Sequence, residues 1–386
     1  MVEVLFLLLP IAASYGWYMG RRSMRHQQNN KQRSRDRNYF TGLNFILSNE
    51  SDKAVDLFIN MLDVDDDTID THLSLGALFR TRGQVDRAIR IHQSLVSRPN
   101  LPSEQLEISM MELGKDYMAA GFYDRAEEMF VSLIELSDET DEAESQLILI
   151  YQTTREWQKA INIIKNMNRV SRKEFASSHA HYYCQLSDES STTEQKVKFL
   201  KLALKQDEKC GRALVQLIEI YFKNNQNKEC KQSLLQLILT DPDLISEVLE
   251  YAREVYLREQ DFDGYKEFLQ QSLDKGAGVS ITVALVKLFL DINHVEDAQT
   301  ILLAAMQRHP TMKGFHQLMQ LHVEQAESGK AKDSLTMLEK LVQQQIKHRP
   351  SYRCQECGFP SHALYWHCPS CKNWGKVKRI RGLDGE

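Results

Sequence analysis

Residues 72–95 read HLSLGALFRTRGQVDRAIRIHQSL, and the positions that decide the fold are His72, Leu75, Gly76, Phe79, Ala88, His92 and Leu95. Ala54 stands 34 residues before Ala88, Gly42 stands 34 before Gly76, and Ala126 stands 34 before Ala160. Large residues keep the same phase around these small ones. A fixed interval of this kind marks a chain built from stacked copies of one small unit, each burying its apolar face against its neighbours.

The 34-residue period is that of the tetratricopeptide repeat, in which two antiparallel helices meet at small side chains and large residues fill the space around them. The first copy holds Gly42, Phe45, Ala54, Phe58 and Met61. The third holds Leu113, Gly114, Tyr117, Ala126, Phe130 and Leu133, after four extra residues placed around Pro99–Pro102. The fourth holds Leu147, Tyr151, Ala160, Ile164 and Met167, with Ile148 at the glycine position. Later copies are less regular. The fifth, His179 to Gln206, is expected to put Val197 near the small position and Lys201 where a large apolar residue belongs. Cys230 takes the small position in the sixth and Tyr265 in the seventh. Leu285, Phe289, Ala298, Leu302, Ala305 and Pro310 make a clear eighth, and Phe315 to Lys347 forms a capping helix pair. Only 17 glycines and 8 prolines interrupt 386 residues, so the body reads as all-α.

A net charge of −5 argues against general nucleic-acid binding; the positive charge gathers at the two ends. Val4 to Met19 carries no charge, is followed by Arg21, Arg22 and Arg25, and has Tyr15, Trp17 and Tyr18 beside those arginines. A run of about 20 residues suffices to span about 30 Å of hydrocarbon. Basic residues lie only after it, so the positive-inside rule places the rest of the chain in the cytoplasm. A cleaved signal peptide would carry its positive charges before the run, and none are there, although Ala12-Ala13-Ser14 mimics a cleavage site. The basic stretch through Arg37 reads as a stop-transfer flank that also attracts anionic lipid.

No catalytic constellation stands between Tyr39 and Lys347: no phosphate-cradling glycine loop, no nucleophile elbow, no His-Glu-x-x-His pair. His179, His181 and Cys184 fall close together, but the two histidines point about 200° apart on a helix, so the three read as packing or surface residues. Cys210 and Cys230 read as isolated structural thiols. The aromatic residues Phe45, Phe79, Tyr117, Tyr151 and Tyr221 recur with the repeat and are therefore core. Such an array offers a surface for other proteins.

The most specific chemical signal is at the C-terminus. Cys354, Cys357, Cys368 and Cys371 form two Cys-x2-Cys knuckles ten residues apart. That pattern presents four thiolates to one ion, either iron or zinc, and leaves no open coordination position. A cytoplasmic location disfavours disulfides here. So short a segment cannot build its own core, and the ion would supply folding energy on the order of 10 kcal/mol. Phe359, Tyr365, Trp366 and Trp374 are read as packing the knuckles and docking them onto the repeats. His362 and His367 are possible substitute ligands for an already complete shell. Lys372, Lys376, Lys378, Arg379 and Arg381 make a basic tail, read as protein-facing or solvated, with nucleic-acid binding as a rival.

The chain thus divides into an anchor over residues 1–20, a basic juxtamembrane linker over 21–38, the repeat array over 39–347 and a metal-binding domain over 352–386. Tyr352-x-Cys354-x2-Cys357-Gly358-Phe359 and Cys368-Pro369-x-Cys371 resemble rubredoxin knuckles, with a shorter loop between them. The anchor ending in Arg21-Arg22, the helices around Ala54 and Ala88 and the end Arg381-Gly382-Leu383-Asp384-Gly385 together resemble the lipopolysaccharide assembly protein B family over the whole chain. That resemblance implies a single-pass inner-membrane adaptor, not an enzyme, facing the cytoplasm. It implies promotion of the turnover of the deacetylase LpxC by the membrane protease FtsH, and contacts with other lipopolysaccharide assembly or transport proteins. The alternative is a membrane-tethered, rubredoxin-like carrier of single electrons.

Overall fold

A computed structural model of the protein describes residues 17–19, 40–45, 48, 53–54, 57, 69–99, 101–137 and 140–385. The first helices of successive repeats begin at Ile69, Ser103, Asp141, Ala176, Gly211, Ile245, Val279 and Met312, so starts lie 34, 38, 35, 35, 34, 34 and 33 residues apart. The described helices form a tetratricopeptide-like, all-α solenoid. Most of the anchor read over 1–20 and all of the linker over 21–38 fall outside the described residues; Trp17–Met19 are helical. Among the described residues no helix is long and apolar enough to cross a membrane.

The chain falls into two compact units, residues 1–155 and 156–386. In the first, α1 (Ile69–Thr81), α2 (Val85–Val96), α3 (Ser103–Ala120), α4 (Tyr123–Leu136) and α5 (Asp141–Thr154) each pack on the next. Ala54 and Ala88 are buried in one cluster with Leu75, Phe79 and Ile91, so the expected small positions do carry the core. The four extra residues expected around Pro99–Pro102 are not a loop. They lengthen α3 by one turn at its start, capped by Pro102, and Gly114 keeps its phase.

In the second unit, α6 (Trp157–Asn166) and a short α7 (Arg169–Glu174) precede α8 (Ala176–Glu189) and α9 (Thr193–Gln206). Then come α10 (Gly211–Lys223), α11 (Asn227–Thr240), a 3-10 turn over Pro242–Leu244, α12 (Ile245–Arg258) and α13 (Phe262–Asp274). α14 (Val279–Asp291), α15 (Val295–Arg308), α16 (Met312–Gln325) and α17 (Lys330–His348) complete the helices. First helices also touch first helices across repeats, α10 on α12, α12 on α14 and α14 on α16, which is the stacking a solenoid requires.

The fifth repeat corrects the sequence reading by one residue. Ala88, Ala126, Ala160, Cys230 and Ala298 are each the fourth residue of their helix, and in α9 that residue is Lys196, not Val197. Leu200 and Ala203 take the core and Lys201 is exposed. α7, a short turn capped by the Asn168 side chain, takes the place of the last turn of α6, which has only 10 residues. Tyr265 does replace the small residue and packs with Tyr256 and Phe268 at ring distances of 5.8 and 6.4 Å.

One backbone device joins the two helices of a repeat. The N–H of Gln84, Phe122, Gln226, Asp261 and His294 bonds back to the carbonyl of Phe79, Tyr117, Tyr221, Tyr256 and Phe289 respectively. The residue before each donor is left-handed: Gly83, Gly121, Asn225, Gln260 and Asn293. This is the Schellman closure, which satisfies carbonyls orphaned at a helix end. Glycine supplies it freely early in the array; asparagine and glutamine adopt it later at some steric cost.

Inside the first unit, His92 is fully buried, with Nδ1 2.5 Å from Asp116 and Nε2 3.2 Å from the Leu73 carbonyl. Asp116 in turn accepts from Arg80 at 2.8 Å. The neighbouring close approach is at Gly114, where a Cβ would lie 2.6 Å from the Phe130 ring. Gly114→Ala should therefore destabilise the protein by about 1–3 kcal/mol, against the roughly 1 kcal/mol that alanine's helix propensity alone would add. Urea unfolding followed by circular dichroism checks this; a raised midpoint would refute the close-packing account.

Candidate metal centre

After α17 the chain turns into three short strands, β1 (Tyr352–Cys354), β2 (Pro360–Ser361) and β3 (Val377–Arg379), antiparallel in the order β2-β1-β3. The two cysteine pairs sit in loops with the same hydrogen bonds. Gly358 N–H donates to Cys354 O and Lys372 N–H to Cys368 O, both at 3.0 Å. Cys354 N–H donates to Phe359 O at 2.9 Å and Cys368 N–H to Asn373 O at 3.0 Å. Each knuckle needs a left-handed residue after its second cysteine. Gly358 serves at φ +76° and Lys372 at φ +59°.

These loops bring Cys354, Cys357, Cys368 and Cys371 together, with all four sulfurs within 4.8 Å of one another. Cys354 Sγ lies 3.7 Å from Cys371 Sγ, and Cys357 Sγ 3.7 Å from Cys368 Sγ. A tetrahedron of ligands about 2.3 Å from a central ion has edges of about 3.8 Å, so the donor set and its spacing suit one tetrathiolate ion. The Phe359 N–H, aimed at Cys357, lowers that thiol to about 6. Cys371 receives the matching N–H of Asn373, yet desolvation and the adjacent sulfurs push it up to about 11. Four sulfurs this close cannot all become thiolates without a cation among them.

Of the four aromatics read as packing, Trp374 does the docking. It is buried, stacked against His367 at 4.3 Å and His181 of α8 at 5.0 Å, and edge-on to Trp157 of α6 and Tyr182 of α8 at 6.2 and 6.0 Å. The Arg212 guanidinium of α10 lies 5.9 Å from the ring. Phe359 packs on the strands, Trp366 is half-buried and Tyr365 is exposed. His367 is thus a stacking partner of Trp374, and His362 is exposed.

The basic tail faces the protein. Glu247 accepts from Tyr352 Oη at 2.8 Å and from Arg379 Nε at 2.7 Å. Lys378 pairs with Asp241 and Arg381 with Asp243, and Arg381 also donates to the Gly276 carbonyl at 2.7 Å. Three acids at the α11–α12 junction therefore meet three bases of the tail.

His179, His181 and Cys184 are all buried packing residues. Cys184 and Cys210 are both buried, and the two thiols sit close enough to influence each other's titration, so Cys210 is not isolated as its sequence context suggested. Burial raises the Cys184 thiol, and the neighbouring Cys184 lowers Cys210.

Lys372 has the left-handed backbone that glycine adopts without strain. Lys372→Gly should stabilise the knuckle domain by about 1 kcal/mol, read as a higher urea midpoint in tryptophan fluorescence. A lowered midpoint would contradict the strain argument.

His181 has no hydrogen-bond partner for Nδ1 among the described residues. Burial lowers it to about 3, reinforced by Arg212, His367 and Lys378. The unfolded chain takes up this proton from about pH 6.5 downward and the folded one only near 3, so stability is lost as pH falls through that window. The loss approaches about 1.4 kcal/mol per pH unit for one such group. His181→Phe keeps a ring against Trp374 and should flatten the fall of the urea midpoint between pH 7 and 5. An unchanged slope would sink this account.

A family model described as a rubredoxin metal binding domain matches residues 352–378. Lipopolysaccharide assembly protein B of Escherichia coli strain K12 is 42% identical over 388 residues, covering 100% of both chains. The protein of the same name from Haemophilus influenzae strain Rd is 37% identical over 394 residues, again covering 100% of both. A solved tetratricopeptide repeat protein from Parabacteroides merdae is 14% identical, covering 72% of this chain and 99% of its own, with a TM-score of 0.34, too low to carry an argument. Full-length identity at this level makes the chain a member of the lipopolysaccharide assembly protein B family.

Proposed function

We propose that this protein is a membrane-anchored adaptor that regulates lipopolysaccharide assembly by holding other proteins together. The observation that carries the reading is the end-to-end correspondence with relatives bearing the name lipopolysaccharide assembly protein B. The docked knuckle domain supports it. With Trp374 among the helices and the four sulfurs suited to close around one ion, iron or zinc, Cys354, Cys357, Cys368 and Cys371 clamp a scaffold.

A groove of about 250 Å³ between α12 and α14, lined by Leu257, Phe262, Tyr265, Val283, Lys287 and Ile292, offers partners an apolar surface edged with charge. Residues 1–20 insert in the inner membrane and the array faces the cytoplasm, in this reading. Tethering beside a membrane protease raises effective concentration without new contacts. The partners are FtsH and its substrate LpxC, whose degradation the adaptor promotes.

Pulse-chase measurement of LpxC lifetime tests this. Deleting the protein should lengthen that lifetime severalfold. Restoring it with Trp374→Ala, which removes the docking ring and leaves all four cysteines, should rescue only weakly. The proposal is overturned if LpxC decays equally fast without the protein. Equal rescue by iron- and zinc-loaded protein is expected, whereas loss on zinc loading would indicate an electron carrier instead.

A further inference from the structure

The second unit contains a cavity of about 830 Å³ that the adaptor reading does not use. Its size is within the usual range for small-molecule sites, about 300–1,000 Å³. The C-terminal end of α13, the start of α14 and the C-terminal end of α15 form three sides, and the tail Arg381–Leu383 forms the fourth. The interior is apolar, with Leu273, Val279, Ile301, Ala305, Pro310 and Leu383 among its lining residues.

The polar groups around it are of one sign. Arg308 and His309 stand on the lining, both exposed, and neither has a partner among the described residues. No carboxylate lines the cavity among the described residues. Arg381 is already engaged, with its guanidinium on Asp243 and the Gly276 carbonyl, so it latches the tail as a wall. The Leu383 carbonyl accepts from Met312 N–H at 2.8 Å and holds the same wall against α16.

We propose that this cavity binds an amphiphile, an aliphatic chain that occupies the apolar interior and ends in a carboxylate or phosphate held by Arg308 and His309. An apolar chain alone would leave the Arg308 guanidinium and the His309 ring N–H without an acceptor, and a bare anion would leave the interior empty. A chain with one anionic end satisfies both. The source is either a free fatty acid or a lysophospholipid, since both supply the same two parts. The site does not depend on LpxC or FtsH.

The test uses the full chain in nanodiscs of zwitterionic lipid, a dodecanoate carrying a photoreactive diazirine in its chain, and peptide mapping by mass spectrometry. Labelling should fall on the segments around Ile301–Ala305 and Leu383. It should drop about tenfold in the Arg308→Glu/His309→Glu variant, an effect of about 1.4 kcal/mol on binding. Ala304→Trp should block it as well; Ala304 lines the cavity and is exposed, so the larger ring fills the site without entering the core. Stronger competition by lysophosphatidate than by laurate would assign a phospholipid source, and the reverse a free fatty acid. The proposal is overturned by labelling that persists in both variants, or that dodecyltrimethylammonium competes as well as laurate does.

Discussion

Five of the described helix pairs turn on a single backbone bond, the N–H that closes the first helix onto the carbonyl of its last core aromatic. That bond and the left-handed residue before it fix where the second helix starts and which face it turns inward. The small residue four positions into the second helix is then brought against its partner. A pair built this way still exposes an apolar side, which only the next pair can cover. The order of dependence runs from turn to pair to stack, and the side chains between can vary as long as the turn survives.

This hierarchy explains what was legible in the sequence. Gly76, Ala88, Gly114, Ala126 and Ala160 announce the array because in the early repeats glycine and alanine stand where helices meet closely. The repeat over α8 and α9 reads one residue off because Lys196 stands where a small residue is expected. Asn225, Gln260 and Asn293 hold the same turn as Gly83 but carry no glycine to mark it. The four cysteines were readable because their ligand spacing is local. Trp374 was only one of four aromatics until structure placed it between His367 and His181. The pairing of Asp241, Asp243 and Glu247 with Lys378, Arg379 and Arg381 joins segments more than 130 residues apart, where no periodicity reaches.

The knuckle domain and the helices of its unit meet through two kinds of contact. The ring of Trp374 is fixed by shape, between stacked imidazoles and the edges of Trp157 and Tyr182. The tail is fixed by charge, where Glu247 gathers a phenol and a guanidinium at once. Exposed ion pairs contribute little individually, but Arg379 and Glu247 are largely shielded and share the tyrosine hydroxyl. Shape sets the position and charge sets the rotation.

Trp374 follows Trp157, His181 and Tyr182 by some two hundred residues, so the hollow it fills belongs to helices synthesised long before it. On the ribosome, Trp157, Tyr182 and His181 emerge long before the ring that covers them. A polypeptide that terminates early retains an oily, wettable pit on its side, the sort of blemish that chaperones and proteases recognise. The apolar hollow on the helices is thus closed only when the knuckle domain arrives.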